Sequence, residues 1–390
     1  MSYYNILQIC IFLLEKHLHL YKYLNDMTIK KGFIFAALMT VSFFTTISCD
    51  NNEGYYNLTG FAQGGTWQIT LNVDKSVNMS AEQLKAGVDS ILLEVDNNLS
   101  GYNKASMLSR FNAGDTITPS PMFKEMYRRA VGFYKETKGA VDCAAAPLFD
   151  MWGFGFTNDS LPSAAKVEQT LDLCGMDRLV PDMEEVITPD GRLHGSMLIA
   201  PAYAANASSA LAANTFPKLN YNAVAQGYTC DIIADYLHAR GVKDMLINIG
   251  GEIYASGLNS SHKGWVLGID RPEDGNQVSG QKIEAVFATD GGTYGIVTSG
   301  NYRKFYLRDG KKYAHTIDPR DGYPVSHQLL SATIITSDAT AADAYATYCM
   351  VIGLEEAIAF IESNENIEGC LIYEVDGNMQ TWTSEGINLR

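Results

Sequence analysis

The chain has 390 residues, 46% of them hydrophobic, and 44 acidic against 29 basic side chains give a formal net charge of −15. That balance disfavours a phosphate backbone, so nucleic acid is not an expected partner. The apolar content supports a large core, and the roughly 330 residues beyond the N-terminal region fill one large domain or two fused lobes.

The N-terminus predicts targeting. Lys30 and Lys31 precede a seventeen-residue apolar run, Gly32 to Ser48, and then Cys49. A charged region, an apolar stretch and a small residue before cysteine make a lipoprotein-type signal over 27–48, with Cys49 as the lipidated first residue. Thr46 stands where that pattern prefers Leu, and a spanning helix, the rival reading, usually takes about 20 apolar residues. These features imply an anchor in a bilayer of the bacterial envelope, facing the periplasm. Met27 immediately precedes the signal, so residues 1–26 are expected to be an upstream extension. Residues 49–60 read as a polar tether and 61–390 as the globular domain.

Along that domain, GTWQITLNV reads as a strand and 81–98 as a helix, followed by the polar loop segment LSGYNKASMLSRFNAGD. A helix near 122–138 comes next. AVDCAAAPLFDMWGFGF then opens from apolar residues into aromatics and glycines, which flank a planar ring or fill a core. Residues 196–216 are Ala- and Ser-rich and read as helix or loop. KLNYNAVAQGYTCDIIADYLHARG gives an extended entry, a small-residue turn from Ala223 to Gly227, and a helix over 227–240. DMLINIGGEIYASG is an apolar strand running into Gly250, Gly251 and Glu252, where paired glycines permit close backbone approach or a bulge. WVLGID and LSATIIT add strands, and a final helix is expected over 341–363. The sum is an α+β fold of mixed, largely antiparallel sheets with flanking helices. Beyond Cys49 the five remaining downstream cysteines, Cys143, Cys174, Cys230, Cys349 and Cys370, lack metal-ligand spacing and read as buried thiols.

The run Thr298 to Val325, TSGNYRKFYLRDGKKYAHTIDPRDGYPV, carries more chemistry than a core needs. It predicts a hairpin turning at Asp309-Gly310, whose second strand delivers His315 into a stiff loop built on Pro319, Gly322 and Pro324. The alternative reading of the run alone is a polar surface hairpin with a rigid exit loop. About twenty residues on, Asp343 and Thr347 fall at i and i+4 on one helix face. A carboxylate and a hydroxyl there offer the hard oxygens that Mg²⁺ prefers, although an Asp near a helix N-terminus is also favoured by the dipole.

Five separated motifs taken together resemble the ApbE family, the FAD:protein FMN transferases: GGTW; SGYNKASMLSRFN; PLFDMWGFG; NAVAQGY with INIGGEIYASG; and SGNYRKFY with YAHTIDPRDGYPV and DAYAT. The match runs in order from about Gly64 to about Leu354. The resemblance implies that FAD is the substrate and Mg²⁺ the cofactor. It further implies that FMN is transferred to a Thr or Ser hydroxyl of an acceptor protein, an exported or membrane-bound redox subunit, as a phosphoester with release of AMP.

Site residues follow from the same resemblance. Asp343 and Thr347 match metal-binding side chains, and Ala223 matches a backbone-carbonyl ligand. Tyr102 matches an aromatic cofactor contact. Asp150, Met151 and Trp152 match a loop against the flavin portion, and Ile317 another FAD contact. Gly64 stands where many relatives have Met, Asn220 where they often have an acidic residue, and Gln226 where they have Lys or Glu. His315, whose imidazole ordinarily titrates near pH ~6.5, is a candidate general base or merely orients the next loop, and Asp343 is a second catalytic candidate. Two further readings are an FAD pyrophosphatase giving FMN and AMP, and a flavin-binding lipoprotein without catalysis.

Overall fold

The computed structural model describes residues 54–154, 161–204, 218–272, 282–301, 305–308 and 311–387. The expected extension, signal, Met27, Cys49 and the Asp309-Gly310 turn lie outside the described residues. Among the described residues no helix is long and apolar enough to cross a membrane.

The first strands are β1 (Tyr55–Ala62) and β2 (Gly65–Asn72). Trp67, Ile69 and Leu71 alternate inward along β2, the period-two pattern of a half-buried strand. Ala62 pairs with Gly65 across a two-residue turn, and both central residues, Gln63 (φ 52°) and Gly64 (φ 79°), have the positive φ of a primed hairpin turn. This corrects the expected tether: Tyr55 to Gly60 belong to the sheet. Tyr55 and Leu58 are buried, and burying one such apolar side chain contributes about 1.5–3 kcal/mol, which a solvated tether forgoes.

β3 (Met245–Ile249) and β4 (Glu252–Ser256) form a second hairpin, turning at Gly250 and Gly251 with φ of 73° and 126°. The expected single strand is therefore two. β5 (Val266–Asp270) pairs with β6 (Ile283–Ala288), followed by β7 (Thr293–Gly300). β8 (Phe305–Arg308) pairs with β9 (Lys311–Ala314), as the hairpin pattern predicted, and the short β10 (Ile317–Asp318) with β11 (Tyr323–Pro324). β12 (Leu329–Thr336), β13 (Glu368–Val375) and β14 (Asn378–Thr383) complete the strands. The main sheet runs β1-β2-β3-β4-β7-β12-β13-β14, antiparallel at every junction.

The helices are α1 (Ala81–Leu99), α2 (Met107–Asn112), α3 (Pro121–Glu136), α4 (Ala146–Met151), α5 (Ala164–Leu171), α6 (Pro201–Ala204), α7 (Ala225–His238), α8 (Ala339–Ile352) and α9 (Leu354–Glu362). Leu84, Val88, Leu92, Val95 and Leu99 bury one stripe of α1, and a Ser80–Gln83 capping box starts it. The expected helix over 341–363 breaks at Gly353, whose φ of 84° ends α8 and starts α9. The stretch 196–216 is, where described, a 3₁₀ turn and the one-turn α6.

One face of the sheet packs Leu58, Ile69, Leu71 and Ile247 against Leu84 and Val88 of α1 and Ile233 and Leu237 of α7. Farther along, Val297, Ile334 and Leu371 meet Ala346, Met350 and Ile361 of α8 and α9. The opposite face is covered by the β5–β6 hairpin through Leu267, Ile269 and Phe287. A separate core around Phe111, Phe123, Met126, Tyr127 and Tyr221 holds α2 and α3 to the chain entering α7.

Candidate active site

The metal-type residues lie on the two helices of the α7–α8 junction and the turn before it. Asp343, only 5% exposed, accepts a hydrogen bond from the Gly227 N–H at 3.1 Å. A Cβ on Gly227 would overlap the Ala339 carbonyl and stand 2.9 Å from Asp343 Cβ, so glycine is what lets the helices approach. Ala223 occupies the turn immediately before α7. Thr347 lies one turn beyond Asp343, with Oγ1 3.4 Å from Ser299 Oγ at the end of β7.

Burial holds the Asp343 carboxyl well above the usual carboxylate range, and the charges of Glu252 and Asp231 push the same way, against the Gly227 N–H. Among the described residues Asp343 makes no ion pair; the charges acting on it are carboxylates. A cation would offset that repulsion, and a carboxylate, a hydroxyl and a nearby turn carbonyl form an all-oxygen set suited to a hard divalent ion. Among the described residues no group of three or more His, Cys, Asp or Glu forms a metal cluster, so an ion here would share its remaining positions with water or substrate phosphate.

Beside this junction the two glycine hairpins meet. Gly250 N–H donates to Thr66 O at 3.1 Å, a Cβ on Gly65 would lie 3.6 Å from Gly250 Cα, and Gln63 Nε2 donates to Thr229 Oγ1 of α7 at 2.6 Å. Gln226 packs where a Gly250 side chain would be, with Glu252 Oε2 3.4 Å from the same point. Gly64 faces open space, so at this position the chain offers only backbone and room.

Asn220 shapes the turn before α7. Its Oδ1 accepts from Asn222 N–H at 2.9 Å, which shapes the turn that presents Ala223, while its N–H donates to Cys143 O at 2.8 Å. Asn112 and Leu219 exchange side-chain-to-backbone bonds of 2.8 and 2.9 Å, tying the SGYNKASMLSRFN arm to this turn. Tyr102, on that arm, is 65% exposed.

The remaining wall is α4 against the Thr298 to Val325 run. Trp152 Nε1 donates to Gly322 O at 2.8 Å, and its ring lies 6.0 Å from that of Tyr313 at 29°. Met151, Trp152 and Ile317 share one buried cluster with Leu148 and Val167. These three side chains are buried together and hold this wall to the exit loop. Asp150 is half-buried on α4. His315, half-buried after β9, meets Phe154 edge-on at 6.4 Å. Thr316 Oγ1 donates to Asn301 Oδ1 at 2.6 Å, and Val325 N–H to Thr316 O at 3.0 Å, which closes the loop back onto the end of β7.

Two contributors lacked a sequence role, Asp231 and Ser299. Asp231 was the more detectable, a carboxylate set between Cys230 and Ile232-Ile233 on a helix. Its carboxyl is pushed up to about 7 by burial and by Asp338, against hydrogen bonds from Thr340 and Ala339.

Fold and site define a mixed α+β protein with an oxygen-lined acidic site at a helix–helix junction, walled by a hairpin and its exit loop. A profile of the ApbE family matches residues 64–371, and the chain belongs to that family. It is 28% identical to an FAD:protein FMN transferase of Haemophilus influenzae over 86% of this chain and 92% of the relative. Among solved structures it resembles the flavin transferase ApbE of Vibrio cholerae (TM-score 0.67, 27% identity, 85% of this chain and 97% of that one). It also resembles the apo flavinyl transferase ApbE of Pseudomonas stutzeri (TM-score 0.68, 28% identity, 85% and 95%).

Proposed function

We propose that this chain is an FAD:protein FMN transferase. It splits the pyrophosphate of FAD and attaches FMN to a Thr or Ser hydroxyl of an acceptor protein, releasing AMP. The observation that carries this reading is the junction itself: Asp343 hydrogen-bonded to the first turn of α7, next to the Ala223 turn, with Thr347 one turn on. Family membership across residues 64–371 and the named activity of the relatives support it.

Asp343, Thr347 and the Ala223 carbonyl would hold Mg²⁺. An ion held by these groups would supply positive charge against the charge developing on the pyrophosphate oxygens. The acceptor hydroxyl oxygen forms the new bond to the phosphorus of the FMN half. The bond from that phosphorus to the bridging oxygen breaks, and AMP leaves with the bridging oxygen. The hydroxyl proton passes to a base, for which His315 at the wall is the candidate. The signal pattern supports a location in the envelope through lipidated Cys49, and the family resemblance supports an exported or membrane-bound redox subunit as acceptor.

Incubation with FAD, Mg²⁺ and a Thr-containing acceptor tests the reading. Transfer leaves flavin fluorescence on the acceptor in a denaturing gel, pyrophosphatase activity releases FMN and AMP without it, and a non-catalytic binder releases no AMP.

A further inference from the structure

Asp231 is a buried carboxylate, 9% exposed, on a helix otherwise packed by Cys230, Ile233 and Ala234. Both of its oxygens are used. Oδ1 accepts from Ala339 N–H at 2.8 Å, and Oδ2 accepts from Thr340 N–H at 2.8 Å and from the Thr340 hydroxyl. These are the first two residues of α8, whose N–H groups have no partner within the helix and carry its positive dipole end. Asp338 already caps the same helix through Ala341 N–H at 2.7 Å, so Asp231 adds a second anchor from a different element.

The spacing matters. Gly227, four residues before Asp231 on α7, donates to Asp343, four residues after Ala339 on α8. The two helices are therefore joined, running antiparallel, at two points one turn apart. Any slide or rotation of α8 along α7 breaks both. The start of α8 is held from other sides too. A Cβ on Gly295 of β7 would collide with Ala339, and Arg129 of α3 reaches Asp338 Oδ2 at 3.3 Å.

We infer that Asp231 is a positioning residue for the active site: it fixes the register of α8 on α7 and so holds the Asp343 carboxylate beside the Ala223 turn. This rests on the reading that Asp343 binds a divalent ion. A cap of purely structural importance would affect folding stability alone, whereas a positioning residue also sets metal affinity. Outer-shell partners of metal ligands typically change affinity by about 10–100-fold.

The test titrates the full chain with Mn²⁺, counting free ion by its electron spin resonance signal, alongside thermal melting and the Mg²⁺ dependence of AMP release from FAD. Asp231→Asn is expected to weaken Mn²⁺ binding about tenfold and to raise half-saturating Mg²⁺ in parallel, with KM for FAD moving less than kcat. Thr340→Val should shift affinity the same way and Thr340→Ser, which keeps the hydroxyl, should restore it; this pair decides if Asp231→Asn does not fold. A lowered melting temperature with unchanged Mn²⁺ affinity in Asp231→Asn or Thr340→Val would overturn the inference while leaving the metal site intact. Absence of Mn²⁺ binding by the wild-type chain, or binding that survives Asp343→Asn, would overturn the metal reading and the inference with it.

Discussion

The two halves of the site are built by different means. At the α7–α8 junction the contacts span more than a hundred residues of sequence, Gly227 to Asp343 and Asp231 to Ala339, and link buried carboxylates to backbone N–H groups. The exit loop of the hairpin is organised locally: Arg320 forks onto Asp318, with Nη2 to Oδ2 at 2.7 Å, and Tyr323 N–H donates to Asp321 at 2.8 Å. Trp152 is its main link to α4. The junction is thus a template whose parts fail together, whereas the loop can lose one contact and keep its form. Long-range buried polar contacts leave unpaired groups behind when broken, and local exposed ones are replaced by water.

This contrast ranks the expected effects of perturbation. Gly227→Ala should be the most damaging, because the new methyl overlaps the Ala339 carbonyl: about 1–3 kcal/mol lost in urea unfolding, with AMP release lost as well. A pH series comes next. Asp231, at the junction, has its carboxyl raised to about 7, chiefly by burial, so the folded protein binds that proton more tightly than the unfolded chain. Its contribution to stability is greatest below the ordinary carboxylate range near pH ~4 and is lost as pH rises through about 7. Stability to urea without metal should therefore fall between about pH 4 and 7, by on the order of 2 kcal/mol. A flat profile would remove the claim that the junction stores unfavourable charge. Trp152→Phe deletes the hydrogen bond to Gly322 O but keeps the ring, and should cost about 1 kcal/mol, read by denaturant midpoint. Arg320→Ala breaks an ion pair with a half-exposed guanidinium and should change stability by under about 1 kcal/mol. If Arg320→Ala proved worse than Gly227→Ala, the contrast between template and loop would be reversed.

Legibility in the sequence followed the same division. Helix stripes such as Leu84-Val88-Leu92 and the i, i+4 pair of Asp343 and Thr347 are local patterns, and the structure contains those helices. The edge strand Tyr55–Ala62 escaped notice because its polar residues resemble a linker and its register depends on β2 alone. The helix break at Gly353 was hidden by continuous apolar periodicity, which a left-handed glycine interrupts without changing the pattern. The shared burial of Trp152 and Ile317, 165 residues apart in the chain, is set by tertiary packing and has no local sequence signal. Asp231 could not be given a role from the sequence, since its partners lie 108 and 109 residues away.

The most direct measurement is flavin transfer itself, with Asp343→Ala beside the wild-type chain, FAD, Mg²⁺ and a Thr-bearing acceptor. A template centred on Asp343 predicts covalent flavin on the acceptor and stoichiometric AMP from the wild type, and a loss of both by about a hundredfold or more in Asp343→Ala. Undiminished AMP release from Asp343→Ala would place the chemistry elsewhere and contradict the site described for the α7–α8 junction.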